Sequence, residues 1–188
     1  IGNVHWMKGD LDKALDCYKS TLEINEEIGN KSQVGNVLLG IGNVIFDKGD
    51  FDKALCYYKK SFEIIEKIGD KRRIANSLTT IANVHASKGR LDKALDYHQK
   101  SFEIQNDIGY KYGMGITLYN IGGVYNDKMD YKKALDYYDR SFKISEKIGD
   151  KYGMGITLNN IGDVHYDKGE YEKAEEYLKK ALSIKKEI

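Results

Sequence analysis

The chain has 188 residues, 41% apolar and 31% charged, with 30 Lys and Arg against 29 Asp and Glu. A formal net charge of +1 excludes a general nucleic-acid binder, which carries a clear basic excess, and a polybasic membrane-surface protein. No apolar run approaches the ~20 residues of a membrane-spanning helix, none has the form of a signal-peptide core, and two cysteines do not make a disulfide scaffold.

The elements follow from an internal repeat. Lys8-Gly9-Asp10-Leu11-Asp12-Lys13-Ala14-Leu15 returns at Lys48–Leu55, Lys88–Leu95, Lys128–Leu135 and, more loosely, Lys168–Glu175, always with a period of 40. Ile1-Gly2-Asn3-Val4 returns at Ile41, Ile81, Ile121 and Ile161, and Ile28-Gly29-Asn30-Lys31 at Ile68, Ile108 and Ile148. The units are 1–30, 31–70, 71–110, 111–150 and 151–188, forming a single array. The first unit opens inside a helix, without Met, and the last ends without a polar capping helix. An excised piece of a longer protein is therefore expected.

Each unit reads as two helices, A and B. In the second, Val34, Val37, Leu38, Ile41, Val44 and Ile45 recur by threes and fours, as do Phe51, Ala54, Leu55, Tyr58, Phe62, Ile65 and Ile68. Gly49 separates the two runs; Asp50 and Asp70 are expected N-caps, and Gly69 a left-handed helix end. The absence of proline suits long helices. Glycine within helix A (Gly2, Gly42, Gly122, Gly162) costs roughly 1 kcal/mol relative to alanine, so its recurrence predicts a close helix approach, opposite the small column Ala14, Ala54, Ala94, Ala134 and Ala174.

This pattern resembles the tetratricopeptide repeat, through Leu38, Ile41, Gly42, Ile45, Ala54, Tyr58 and Ser61 and their equivalents. The usual unit is shorter and ends in proline. The forty-residue form is similar to that of Pins-type adaptors and of bacterial and archaeal signalling proteins. The resemblance implies an all-α fold, a right-handed α-solenoid of stacked antiparallel helix pairs with helix A lining a concave groove. It also implies the groove positions: Asn3 and Trp6; Asn36, Leu39, Asn43, Phe46 and Asp47; Asn76, Thr79 and Asn83; Tyr119, Asn120, Gly123, Asn126 and Asp127; Asn159, Asn160, Asp163, Tyr166 and Asp167.

These positions vary between units and are rich in asparagine, a mediocre helix former. A carboxamide both donates and accepts, so a row of them suits the backbone of an extended or helical partner segment, with Trp6, Phe46, Tyr119 and Tyr166 as side-chain pockets. The alternative is that these asparagines bond one another, or water, between helices. Substituting a groove asparagine is expected to leave the fold nearly intact. The groove has aspartates and no Lys or Arg, so a basic or neutral polar partner is favoured. The column Lys8, Lys48, Lys88, Lys128 and Lys168 reads as a solvated edge paired with nearby Asp.

No enzyme is expected. His5, His85 and His165 share one repeat position with Ile45 and Tyr125; a position that accepts those residues is a packing position. No Cys-x-x-Cys, His-Glu-x-x-His or phosphate loop is present, and no cofactor or metal is expected. Gly113-Met114-Gly115 and Gly153-Met154-Gly155 recur with the repeat and follow no strand, so they are read as adjusting the start of helix A. Cys56 stands in a column of acids and is expected to be exposed and free, which suits a reducing cytoplasm. The reading is a non-catalytic protein-protein scaffold. A spacer or end-to-end self-association module, using Ile1 and Val4 at one end and Ile184 and Ile188 at the other, and a sensor segment of a larger signalling protein, are the alternatives.

Overall fold

In the computed structural model, which describes residues 2–187, the apolar periodicity resolves into ten helices and no strand among the described residues. They are α1 (Gly2–Met7), α2 (Leu11–Glu27), α3 (Lys31–Asp47), α4 (Phe51–Ile68), α5 (Lys71–Ser87), α6 (Leu91–Asp107), α7 (Lys111–Asp127), α8 (Tyr131–Ile148), α9 (Lys151–Asp167) and α10 (Tyr171–Lys185). Odd-numbered helices are the A helices and even-numbered ones the B helices. None is long and apolar enough to cross a membrane.

The helix ends are set by chemistry repeated in the sequence. Asn30, Asp50, Asp70, Asp130 and Asp150 each accept a hydrogen bond from the backbone N–H three residues on, at 3.0–3.2 Å. That contact satisfies one of the donors a helix start leaves open. Gly69 and Gly149 close α4 and α8 in the left-handed conformation.

The helices group into two compact units, Ile1–Tyr97 and His98–Ile188, with α6 contributing to both. In the first unit α1 packs on α2, α2 on α3, α3 on α4 and α4 on α5. Its core holds Ala14, Tyr18, Val37, Ile41, Val44, Ala54, Tyr58, Ile81 and Val84, with Tyr97 against it. In the second, α8 lies between α7 and α9, and α9 pairs with α10 around Ala134, Tyr138, Ile161 and Val164.

The helix-A glycines have a more specific cause than the helix crossing expected from sequence. A Cβ on Gly42 would stand 2.5 Å from the Tyr58 ring, and one on Gly122 2.6 Å from the Tyr138 ring. At Gly42 and Gly122 the glycine is the floor on which the helix-B tyrosine ring lies, whereas a Cβ on Gly162 would meet Leu178 at 3.0 Å and the Ala174 carbonyl at 3.4 Å, the close approach to the alanine column expected from sequence. Gly113 likewise admits the Tyr110 ring, and Gly153 admits the Asp150 carboxylate that caps α9. Gly113 and Gly153 thus make room at the first turn of α7 and α9, whereas a Cβ on Gly155 would meet nothing within 4 Å.

Candidate functional site

The tyrosine held on that glycine floor reaches the candidate surface of helix A. In the first unit the Tyr58 hydroxyl donates to Asn43 Oδ1 at 2.8 Å, and the Tyr18 hydroxyl donates in the same way to Asn3. Tyr58 is buried, and burial with Asp47 nearby raises its pKa far above the ordinary phenol value. Asn3 and Asn43 therefore terminate buried tyrosines. Replacing Asn43 by alanine would leave the Tyr58 hydroxyl without its acceptor, so the expected neutrality of groove asparagines fails there.

A second set of candidates bonds across neighbouring A helices, at a separation of 41 residues or, for Asn36 with Arg73, of 37. Trp6 Nε1–H donates to Asp47 Oδ2 at 2.5 Å. Arg73 Nη1 donates to Ser32 Oγ at 3.0 Å and Nη2 to Asn36 Oδ1 at 2.7 Å. Asn160 Nδ2 donates to the Tyr119 hydroxyl and to the Ile156 carbonyl, both at 2.9 Å. The period plus one residue is the sequence signal for Trp6–Asp47, Ser32–Arg73 and Tyr119–Asn160, whereas Asn36–Arg73 falls short of the period by three.

The remaining candidates divide by exposure. Asn76, Asn83 and Asn159 are exposed and Asn120 is half-buried; among the described residues their side chains have no hydrogen-bond partner in the chain. Leu39 and Phe46 are half-buried, Phe46 against Phe51 with ring centroids 5.1 Å apart. Thr79 is buried and so leaves the open surface. Asn126 is half-buried, with Oδ1 unpartnered. Asp127, Asp163 and Asp167 are exposed carboxylates of the second unit, and Tyr166 is exposed beside Tyr171.

The sequence reading overlooked Tyr138 as more than packing. It lies 5.7 Å from Tyr119, centroid to centroid, and burial with Tyr119, Asp127 and Asp163 nearby raises its pKa. The available signal was the column Asn3, Asn43, Asn83, Gly123, Asp163, in which Gly123 removes the carboxamide that the other tyrosines use.

Other columns are structural. His85 stacks on Tyr97 and His165 on Tyr177, each at 5.3 Å, as Tyr125 stacks on Tyr137 at 5.4 Å. Lys48 pairs with Asp12 at 2.5 Å, and Lys88 pairs with Asp52. Cys56 is exposed and free, and Cys17 is half-buried and free. Among the described residues no group of three or more His, Cys, Asp or Glu is placed to hold a metal.

Helix pairs with a glycine floor, a B-helix aromatic ring and a variable A-helix face define a helical-repeat protein. The tetratricopeptide repeat family matches residues 1–67, 33–107 and 113–187, and the chain belongs to it. No curated protein matches at a significant level. Among solved structures, BtubC (BKLC) from P. vanneervenii is 20% identical, with a TM-score of 0.83 over 98% of this chain and 76% of that one. Aspartyl phosphate phosphatase F from Bacillus subtilis is 19% identical, with a TM-score of 0.87 over 96% of this chain and 49% of that one. A Rap protein complexed with Competence and Sporulation Factor is 20% identical, with a TM-score of 0.85 over 97% of this chain and 51% of that one. The chain thus spans about half the length of the last two, and at these identities the likeness shows the fold alone.

Proposed function

We propose that the chain is a non-catalytic protein-interaction scaffold, which holds an extended or helical segment of a partner protein on the exposed faces of its A helices. The observation that carries this is the set of unpartnered carboxamides Asn76, Asn83, Asn120 and Asn159. An exposed carboxamide in a helix gains nothing for the helix itself, whereas it offers a donor and an acceptor to a passing peptide backbone. The Rap protein similar in fold is complexed with Competence and Sporulation Factor, which is consistent with such a use of the scaffold. The exposed carboxylates Asp127, Asp163 and Asp167 favour a basic or neutral polar segment.

The test is affinity capture from the source lysate with the wild type and with Asn76→Ala/Asn83→Ala/Asn120→Ala/Asn159→Ala, helicity being matched by circular dichroism. Asn43 is left intact because Tyr58 depends on it. The expected result is a partner held by the wild type and lost by the equally helical variant. Equal capture by both would move binding off these faces. If neither captures a protein, self-association takes its place. That reading is supported by a cleft of about 640 Å³ on α9 and α10, in which Tyr152, Ile156, Leu178 and Leu182 stand beside Asn159, Lys151 and Lys185. Of the end residues expected to stack, Val4 is exposed and Ile184 half-buried, while Ile1 and Ile188 lie outside the described residues.

A further inference from the structure

The second unit departs from the asparagine column at Gly123 and at Asp163, and the departure at Gly123 leaves a specific vacancy. In the first unit, the tyrosine lying on the helix-A glycine finds its acceptor in the asparagine one residue further on, as Tyr58 does in Asn43 at 2.8 Å. Tyr138 occupies the same place on α8, on the floor of Gly122, yet the residue one further on is Gly123. A Cβ at Gly123 would stand 3.7 Å from the Tyr138 hydroxyl oxygen, so the missing side chain is the one that would meet it.

Tyr138 is 1% exposed, and among the described residues nothing in the chain hydrogen-bonds its hydroxyl. A buried phenol with an open hydroxyl, beside a glycine that leaves the place of a side chain empty, has room for a hydrogen-bonding group from outside the chain.

Charge defines that group. Asp127 stands one helical turn after Gly123 on α7, and Asp163 holds the position equivalent to Gly123 on α9; both carboxylates are exposed, and neither has a cationic partner among the described residues. Asp163 itself stands where the first three units have asparagine. The wall beyond Tyr138 is the Tyr119 ring, 5.7 Å away. Two carboxylates, a phenol oxygen and an aromatic face together suit a cation: the carboxylates supply charge, the hydroxyl accepts a hydrogen bond, and the ring faces attract positive charge. A neutral donor would satisfy the hydroxyl and make no use of either carboxylate.

We infer that the notch at Gly123, between Tyr138, Asp127 and Asp163, takes the basic side chain, lysine or arginine, of the bound segment. This rests on the partner-binding reading of the A helices and gives that segment its chemical anchor. The tyrosine is the buried end of the pocket, and the aspartates are its rim.

The experiment is an NMR titration of the intact chain, labelled with 15N and with 13C-tyrosine. Three capped peptides are used: Gly-Gly-Lys-Gly-Gly, its arginine counterpart and its Nε-acetyl-lysine counterpart. The lysine and arginine peptides are expected to shift Gly123 and Tyr138 saturably, the stronger of the two identifying the source residue, and the acetylated peptide is expected not to. Gly123→Asn supplies the carboxamide that the first three repeats carry and is expected to weaken binding about tenfold or more without loss of helicity. Asp163→Asn weakens it by a smaller factor. If all three peptides shift the A-helix resonances alike, or Gly123→Asn binds as the wild type does, the notch is overturned and the wider binding face stands. If no peptide shifts any A-helix resonance, both readings fall.

Discussion

His98 shows how a single exchange at a fixed packing position acquires a thermodynamic signature. The equivalent B-helix residues are Tyr18, Tyr58 and Tyr138, rings with a hydroxyl at the far end, and Leu178. The imidazole of His98 is 0% exposed, and neither ring nitrogen has a hydrogen-bond partner. Burial pushes its pKa down from 6.5 to about 4. The folded chain then keeps His98 neutral over a range where the unfolded chain protonates it. Its contribution to stability is complete above pH 6.5 and is lost as the pH falls toward 4, by about 3 kcal/mol in all. His85, buried among cations, shifts in the same direction. The paired carboxylates lose their contribution at lower pH; Glu170, for example, is held down to about 2 by Lys168, Lys173 and His165. Urea unfolding between pH 7 and pH 4.5 is expected to show stability falling with pH. His98→Leu, the residue type of the fifth unit, is expected to flatten the slope. An equal slope in the variant would place the effect elsewhere.

The helix ends show which parts of an element are negotiable. The A–B turns place Gly9, Gly49, Gly89 and Gly169 at φ 68–82°, and the fourth unit places Met129 there at φ 57°. A side chain in that left-handed region costs roughly 1–2 kcal/mol, partly offset by the greater freedom a glycine would have in the unfolded chain. Met129 is 75% exposed, so its side chain recovers little of that cost by packing. Met129→Gly is expected to stabilise the chain by about 0.5–1 kcal/mol, raising Tm by about 1–3 °C. Calorimetry checks this, and an unchanged or lower Tm would show that the turn tolerates the methionine without strain.

Neighbouring helices carry most of the stabilising contacts in the whole molecule, as they do in any repeat array. In the first unit α3 is packed between α2 and α4, whereas α1 has six residues, none of them buried, and is held by α2 and the Trp6–Asp47 bond. In the second unit α8 is covered by α7 and α9, whereas α10 packs mainly on α9 and leaves Leu178 and Leu182 exposed. Surface ion pairs such as Lys48–Asp12 add little to either unit. Hydrogen exchange of this chain is therefore expected to be faster in α1 and α10 than in α3 and α8, by about tenfold or more. Uniform protection would mean that the chain opens as one cooperative block.

The helices and their caps were legible in the sequence because both are local. Apolar spacing of threes and fours, with Asp or Asn before each run and Gly after it, fixes the bounds of α3 and α4 to within a residue. The period itself carried the fold, since the same solution recurs every 40 residues. What the asparagines do was not legible, because it depends on a residue 15, 37 or 41 positions away. Asn43 and Asn83 read alike in sequence, yet one accepts from a buried tyrosine and the other stands in solvent without a partner. The meaning of Gly123 likewise came from the ring of Tyr138 above it. Local periodicity determines where a helix runs, but whether a side chain is used internally or left for a partner is settled only when the neighbouring helices have packed around it.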